Sequence, residues 1–134
     1  MPPDRARRLA RQHLARRAPA VGALDVVSDI AGLHAQLMPS AELTLWARVD
    51  GLARDAVATA LWQDRTLVKT WAMRGTLHLL PADELPLYVA AQQRLKPRHH
   101  GGAWLRHFGL TRAKADALVA AIPQALDGEP LTRE

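Results

Sequence analysis

The sequence predicts an α+β fold, mainly α with one β-hairpin, on three observations. Apolar residues recur at i, i+3 and i+4 through most of the chain, and the period switches towards a strand-like one over positions 67–80. The composition, 49% hydrophobic and 23% charged, is that of a globular chain and not of a disordered one. At 134 residues the chain fits one compact domain or a little more. It buries about two-thirds of its unfolded surface, so folding requires neither disulfide nor metal. Cysteine is absent, which excludes thiol catalysis and thiolate zinc sites. No apolar run reaches the ~20 residues of a bilayer span, and the N-terminus has no apolar signal core. The default expectation is a cytoplasmic protein without a membrane partner.

The elements follow in order. From Asp4 as N-cap, Ala6, Leu9, Ala10, His13 and Leu14 mark an amphipathic helix with arginines opposite, broken by Pro19 and Gly22. A second helix is predicted from about Leu24, with Val27, Ile30, Ala31 and Leu33 or His34 inward. It should end near Gln36 or Leu37, because Pro39 disfavours helical geometry at Met38. Ser40 opens a short helix carrying Leu43, Trp46 and Val49, closed by Asp50-Gly51. Ala53 to Gln63 form the next, with Val57, Ala60 and Leu61 on one side. Leu67–Trp71 and Thr76–Leu80 then flank Ala72-Met73-Arg74-Gly75, where Gly75 can take the positive φ of a tight turn, giving a two-stranded ribbon.

Leu80-Pro81 starts a further helix to about Arg94, with Leu85, Tyr88, Val89 and Gln92 in phase and Pro86 tolerated in its first turn. Residues 96–102 are a basic loop containing Arg98 and the pair His99-His100. The short apolar piece Trp104–Phe108 leads to Thr111, which caps a helix carrying Leu118, Val119, Ile122 and Leu126 and stopped by Asp127-Gly128. Pro130–Glu134 reads as the start of another helix, with Thr132 as its cap. The chain is therefore expected to be the N-terminal part of a longer protein.

Helices followed by a hairpin are the order of a winged helix, an elaboration of the helix-turn-helix plan. The predicted organisation is a first winged-helix domain over 1–95, a basic linker with a short helix over 96–110, and a helix opening a following, truncated module over 111–134. Residues 53–63 would be the recognition-like helix and 72–75 the wing tip. Trp46, Trp62, Trp71 and Trp104 are expected in the core, since an in-phase Trp more often packs inside than stacks on bases.

Charge points to an anionic partner. Eighteen Lys and Arg against thirteen Asp and Glu leave a net charge of +5, and the cations come in two blocks. One comprises Arg5, Arg7, Arg8, Arg11, Arg16 and Arg17; the other comprises Arg94, Lys96, Arg98, Arg106, Arg112 and Lys114. Two solvated helix faces would give the same pattern. On the DNA reading, Arg54, Arg65, Lys69, Arg74 and Arg98 are the candidate contacts with double-stranded DNA. His99-His100 lack partners at ligand spacing, so no metal site is expected, and no cofactor motif is present.

Three stretches carry a family resemblance: Ala31-Gly32-Leu33-His34-Ala35-Gln36-Leu37-Met38-Pro39-Ser40, then Leu45-Trp46-Ala47-Arg48, then Leu67 to Pro81 with its Thr70-Trp71-Ala72-Met73-Arg74-Gly75-Thr76-Leu77-His78 core. Together they resemble the bacterial winged-helix DNA glycosylases of the AlkZ and YcaQ type. The resemblance implies a chain nearly three times longer, built from tandem winged-helix motifs around a DNA channel. It also implies a DNA-repair activity, removal of N7-alkylated purines and in some members unhooking of interstrand crosslinks. The partner is then alkylated duplex DNA, with the C-terminal remainder of the same protein completing the channel.

The family's catalytic motif is Gln, an aliphatic residue, then Gln or Asp, and His34-Ala35-Gln36 stands at that position. The resemblance thus makes His34 and Gln36 the catalytic pair, with His34 a departure from the commonest pattern. An N7-alkylated purine already carries positive charge and leaves readily, so the protein must mainly hold a water beneath C1′ and stabilise an oxocarbenium ion. Gln36 can do so by hydrogen bonding. Neutral histidine can orient the water or take its proton. No lysine stands near the motif to form a Schiff base, so the reaction is a monofunctional hydrolysis without metal. On a regular helix, side chains at i and i+2 point to different sides, so a shared site requires irregular or extended backbone. Read from residues alone, His34 is a satisfied helix-end histidine and Gln36 a surface residue. The alternatives are a non-catalytic winged-helix DNA-binding or transcription-factor domain, and a helical module whose arginine faces meet an acidic protein.

Overall fold

A computed structural model describes residues 3–95 and 101–127. Arg98, with Lys96 and His99-His100, and the predicted new helix at 130–134 lie outside the described residues. The chain divides into two compact units, 1–96 and 97–134.

In the first unit, α1 (Pro3–Arg11) leads through an irregular stretch to the two-residue strand β1 (Ala18–Pro19) and a 3-10 turn, Ala20–Gly22. Then come α2 (Ala23–Asp29), β2 (Leu33–His34), α3 (Met38–Trp46), β3 (Val49–Asp50), α4 (Ala56–Trp62), β4 (Leu67–Trp71), β5 (Leu77–Pro81) and α5 (Leu85–Leu95). The second unit holds α6 (Gly102–His107) and α7 (Arg112–Ala125). The α+β class is as the periodicities indicate.

Three strands form one antiparallel sheet in the order β2-β5-β4, and β1 pairs with β3 in parallel. One face of the three-stranded sheet contributes Leu33, Leu67 and Leu79 to a core completed by Val26, Val27, Ala35, Ala41, Leu45, Val49 and Val57. These side chains come from every central element of the unit, so burial of apolar area against the sheet is what holds α2, α3 and α4 in place.

Several expectations are corrected. The helix predicted from Leu24 to Gln36 ends at Asp29. Ala31 takes φ 59° and Gly32 φ 91°, the Ala31 amide bonds Ser28 O at 2.9 Å, and the Gly32 amide bonds Val27 O at 2.8 Å. That is a Schellman stop, which closes the helix well before the proline expected to end it. Pro39 instead sits in the first turn of α3, where its missing N–H is not needed. Released from the helix, residues 33–34 pair with β5, so the expected two-stranded ribbon has three strands. Val49 belongs to β3 and not to the helix before it. Pro81 closes β5, and the next helix starts only at Leu85.

The tryptophans also depart from expectation. Trp46 is half-buried, but Trp62 is 77% and Trp71 58% exposed, and Trp104 is exposed as well. Trp62 lies five residues after Val57, well off the buried face of α4. Trp71 is at the hairpin end of β4, beyond the core. In the second unit, the Thr111 hydroxyl accepts from the Lys114 amide at 3.3 Å as the predicted cap, while Leu118, Val119, Ile122 and Leu126 are exposed.

Candidate functional site

The site is built on β2 and the residues that continue it. The positive φ values at Ala31 and Gly32 turn the chain out of α2 and set it against the middle strand. A Cβ on Gly32 would stand 3.0 Å from Leu79 O and 2.5 Å from Leu80 Cδ2, so the close approach requires glycine. From there the chain is extended: Leu33 pairs with Leu79, His34 pairs with His78, and the Ala35 amide donates to Leu77 O at 2.8 Å. Side chains alternate along extended backbone. Leu33 and Ala35 are 1% and 0% exposed in the core, while His34 and Gln36 turn to the other side and are solvent-exposed. The alternation Leu-His-Ala-Gln is the sequence signal for this strand, hidden because Leu33 also continues the helical period of α2.

Gln36 is held by its own side chain. Its Oε1 accepts from the Leu77 amide at 3.4 Å, so the carboxamide extends the ladder one step past the strand. The bond to an N–H donor fixes which end of the amide is oxygen and leaves the NH2 group to donate elsewhere.

Beneath this pair lies a residue that the sequence places only on a face of the ribbon. His78 is 7% exposed, the buried polar side chain among the described residues, and lies on the sheet face opposite Leu33 and Leu79. Its Nδ1 lies 3.0 Å from Thr76 O, and because a carbonyl only accepts, Nδ1 carries a proton. The rings of His34 and His78 meet edge-to-face, with centroids 5.5 Å apart and planes at 82°. Thr70 is the register partner of His78 on β4, so His34, His78 and Thr70 form a polar row across all three strands. The hairpin register joins positions 70 and 78 and the β2–β5 pairing adds position 34, so no local pattern reveals the row.

The cations divide. Arg54, Arg65, Lys69 and Arg74 are all exposed, and none makes an ion pair with a described residue. Arg54 precedes α4, Arg65 takes φ 53° in the turn before β4, and Arg74 takes φ 56° at the hairpin tip. Lys69 opposes Leu79, which alternation puts on the sheet face away from His34 and Gln36. Arg17, by contrast, leaves the solvated basic block. It donates to Trp46 O and, at 2.6 Å, to Val49 O, and pairs with Asp50 at 2.7 Å.

Elsewhere, burial lowers the pKa of the Arg48 guanidinium, which donates to Thr44 O at 2.8 Å. Burial, then the charge of Glu84, raises that of Tyr88. Glu84 in turn accepts from the Ser28 hydroxyl, tying α2 to the start of α5. Among the described residues, no group of three or more His, Asp or Glu is arranged to hold a metal ion, and no helix is long and apolar enough to cross a membrane.

Comparison with known proteins identifies relatives of the chain. The family model "DNA glycosylase AlkZ-like" matches residues 27–134. An interstrand DNA cross-link repair glycosylase from Streptomyces sahachiroi is 38% identical over 116 residues, covering 84% of this chain and 30% of that protein. The solved structure of the DNA glycosylase AlkZ from the same organism superposes with a TM-score of 0.79 at 36% identity, covering 94% of this chain and 33% of that one. The chain thus spans about a third of the length of these relatives. With the family match running from the second turn of α2 through β2 and Gln36 to the last residue, this chain belongs to the AlkZ-like DNA glycosylase family.

Proposed function

We propose that the chain is the portion of a DNA-repair glycosylase that carries its hydrolytic pair, acting on N7-alkylated purines in duplex DNA and, as the relative's name suggests, on interstrand crosslinks. The observation that carries this reading is the alternation along β2 and the two residues that continue it, which leaves His34 and Gln36 exposed while Leu33 and Ala35 are buried. Their hydrogen-bonding capacities are complementary. The Gln36 NH2, with its oxygen engaged by Leu77, donates to the oxygen of a water, and a neutral His34 ring nitrogen accepts one of that water's protons. The water attacks C1′ as the C1′–N9 bond breaks. The electron pair of that bond neutralises the cationic purine, and the water's proton passes to His34.

The helical elements followed by the β4–β5 hairpin support a winged-helix reading of the first unit, with α4 recognition-like and residues 72–75 as the wing tip. Exposed Arg54, Arg65 and Arg74 are the DNA contacts along that edge, with Lys69 on the opposite sheet face and Arg98 in the linker. The C-terminal remainder of the full-length protein completes the binding channel.

The test is release of N7-methylguanine from duplex DNA by the full-length protein, scored as abasic sites. His34→Ala should slow excision by about 100-fold or more, the range of a lost general base. Gln36→Ala should slow it less, since one neutral hydrogen bond is removed. Equal release by wild type and both variants would refute the assignment of the pair. Salt-dependent duplex binding without any base release would favour the non-catalytic DNA-binding domain instead.

A further inference from the structure

We propose that His78 is a positioning residue for His34, fixing the imidazole ring that meets the water; this rests on His34 and Gln36 being the hydrolytic pair. The position is anomalous for a histidine. The middle strand of a three-stranded sheet, with leucines at 77, 79 and 80 and a proline at 81, has as its second residue a histidine that is 7% exposed. Burying a polar ring is unfavourable unless it is hydrogen-bonded, and a leucine would fill such a position without that requirement. The ring meets the requirement locally, through Nδ1 and Thr76 O two residues away at 3.0 Å. That bond fixes the ring plane and leaves its remaining surface to face a neighbour, and the neighbour is His34.

His34 needs such a neighbour. It is the last residue of a two-residue strand at the sheet edge, it is solvent-exposed, and it makes no hydrogen bond to a described residue. An exposed imidazole on an edge strand samples several rotamers, whereas a base must be held within about 10–20° of its productive orientation. An aromatic ring standing perpendicular to it at 5.5 Å, on a backbone position locked by register to its own, removes part of that freedom. The preorganised element is therefore the ring surface of His78, while its hydrogen bond to Thr76 serves to aim that surface.

Three variants of the full-length protein separate the possibilities, read by single-turnover excision of N7-methylguanine, by affinity for the same duplex, and by thermal melting. His78→Phe keeps a ring against His34 and loses the Thr76 bond; His78→Asn keeps a donor and loses the ring; His78→Ala loses both. We expect Ala and Asn to slow the chemical step about tenfold or more, as for a displaced catalytic group, with duplex affinity within about twofold of wild type. Phe should recover most of the rate even where its melting temperature is lower. The inference is overturned if folded Ala and Asn variants excise at the wild-type rate, if they lose only affinity, or if Asn is active and Phe is not. Should Ala fail to fold, the Phe and Asn pair decides alone. Wild-type protein releasing no base, or His34→Ala releasing it normally, would refute the underlying reading and this inference with it. A normal loss on His34→Ala with no loss on His78→Asn refutes only the latter.

Discussion

At the scale of single residues, the placement of the site depends on two neighbouring positions with left-handed backbone. Ala31 occupies the C′ position of the Schellman stop at φ 59°, where a Cβ is strained, and Gly32 follows at φ 91° against the backbone of β5. Substitutions there should have opposite signs. Ala31→Gly relieves the strain of a left-handed alanine, about 1–2 kcal/mol, and loses part of that to the greater freedom of the unfolded chain. A net gain of roughly 0.5–1 kcal/mol is expected in denaturant unfolding. Gly32→Ala brings a Cβ to 3.0 Å from Leu79 O, and backbone cannot yield as a side chain can. A loss of about 1–3 kcal/mol is expected, with reduced excision because β2 must move. If Gly32→Ala were neutral in both assays, the turn would not be what aims His34.

At the scale of elements, the presence of the main helices and the hairpin was legible because their signals are local, although the end of α2 and the start of α5 were misplaced. Thr111 capping α7, Pro86 in the first turn of α5, and the switch of period around Gly75 each specify geometry within a few residues. The strand β2 was not. It is two residues long, it exists only because β5 lies beside it, and its apolar residues fit the preceding helical period as well as they fit a strand. Arg17 carries the same lesson in electrostatics. Its position in a run of arginines suggests a solvated cation, yet it satisfies the Trp46 carbonyl at the end of α3 and pairs with Asp50 on β3. A cation at a helix C-terminus that bonds free carbonyls is stabilising. Arg17→Ala is expected to lower stability by about 1–2 kcal/mol in thermal or denaturant melts and to leave duplex affinity nearly unchanged. Arg74→Ala should do the reverse, weakening duplex binding and reducing the slope of log affinity against log salt by about 1. If both lowered only affinity, Arg17 would belong with the DNA contacts.

At the scale of the whole molecule, the chain corresponds to about a third of the length of its relatives, and several of its large apolar side chains are exposed. Trp62 and Trp71 are exposed on the first unit, and the apolar residues Leu118, Val119, Ile122 and Leu126 of α7 are exposed on the second. Residues 1–134, taken alone, are expected to bind duplex DNA weakly and with strong salt dependence, and to release little or no alkylated base. Measurable excision by this segment would show that no further channel is needed. The family was legible because its motifs are contiguous, whereas the row of His34, His78 and Thr70 was not, because it is assembled by pairing across three separate segments. Ala35 ties these levels together. It is sealed in the interior between the two side chains that face solvent, so any change in how the unit packs reaches both of them through one covalent neighbour. A bulkier aliphatic group at position 35 would swing the pair as a unit unless a residue such as Ala41 or Leu45 gave way, which makes reactivity at the surface an indirect gauge of volume inside.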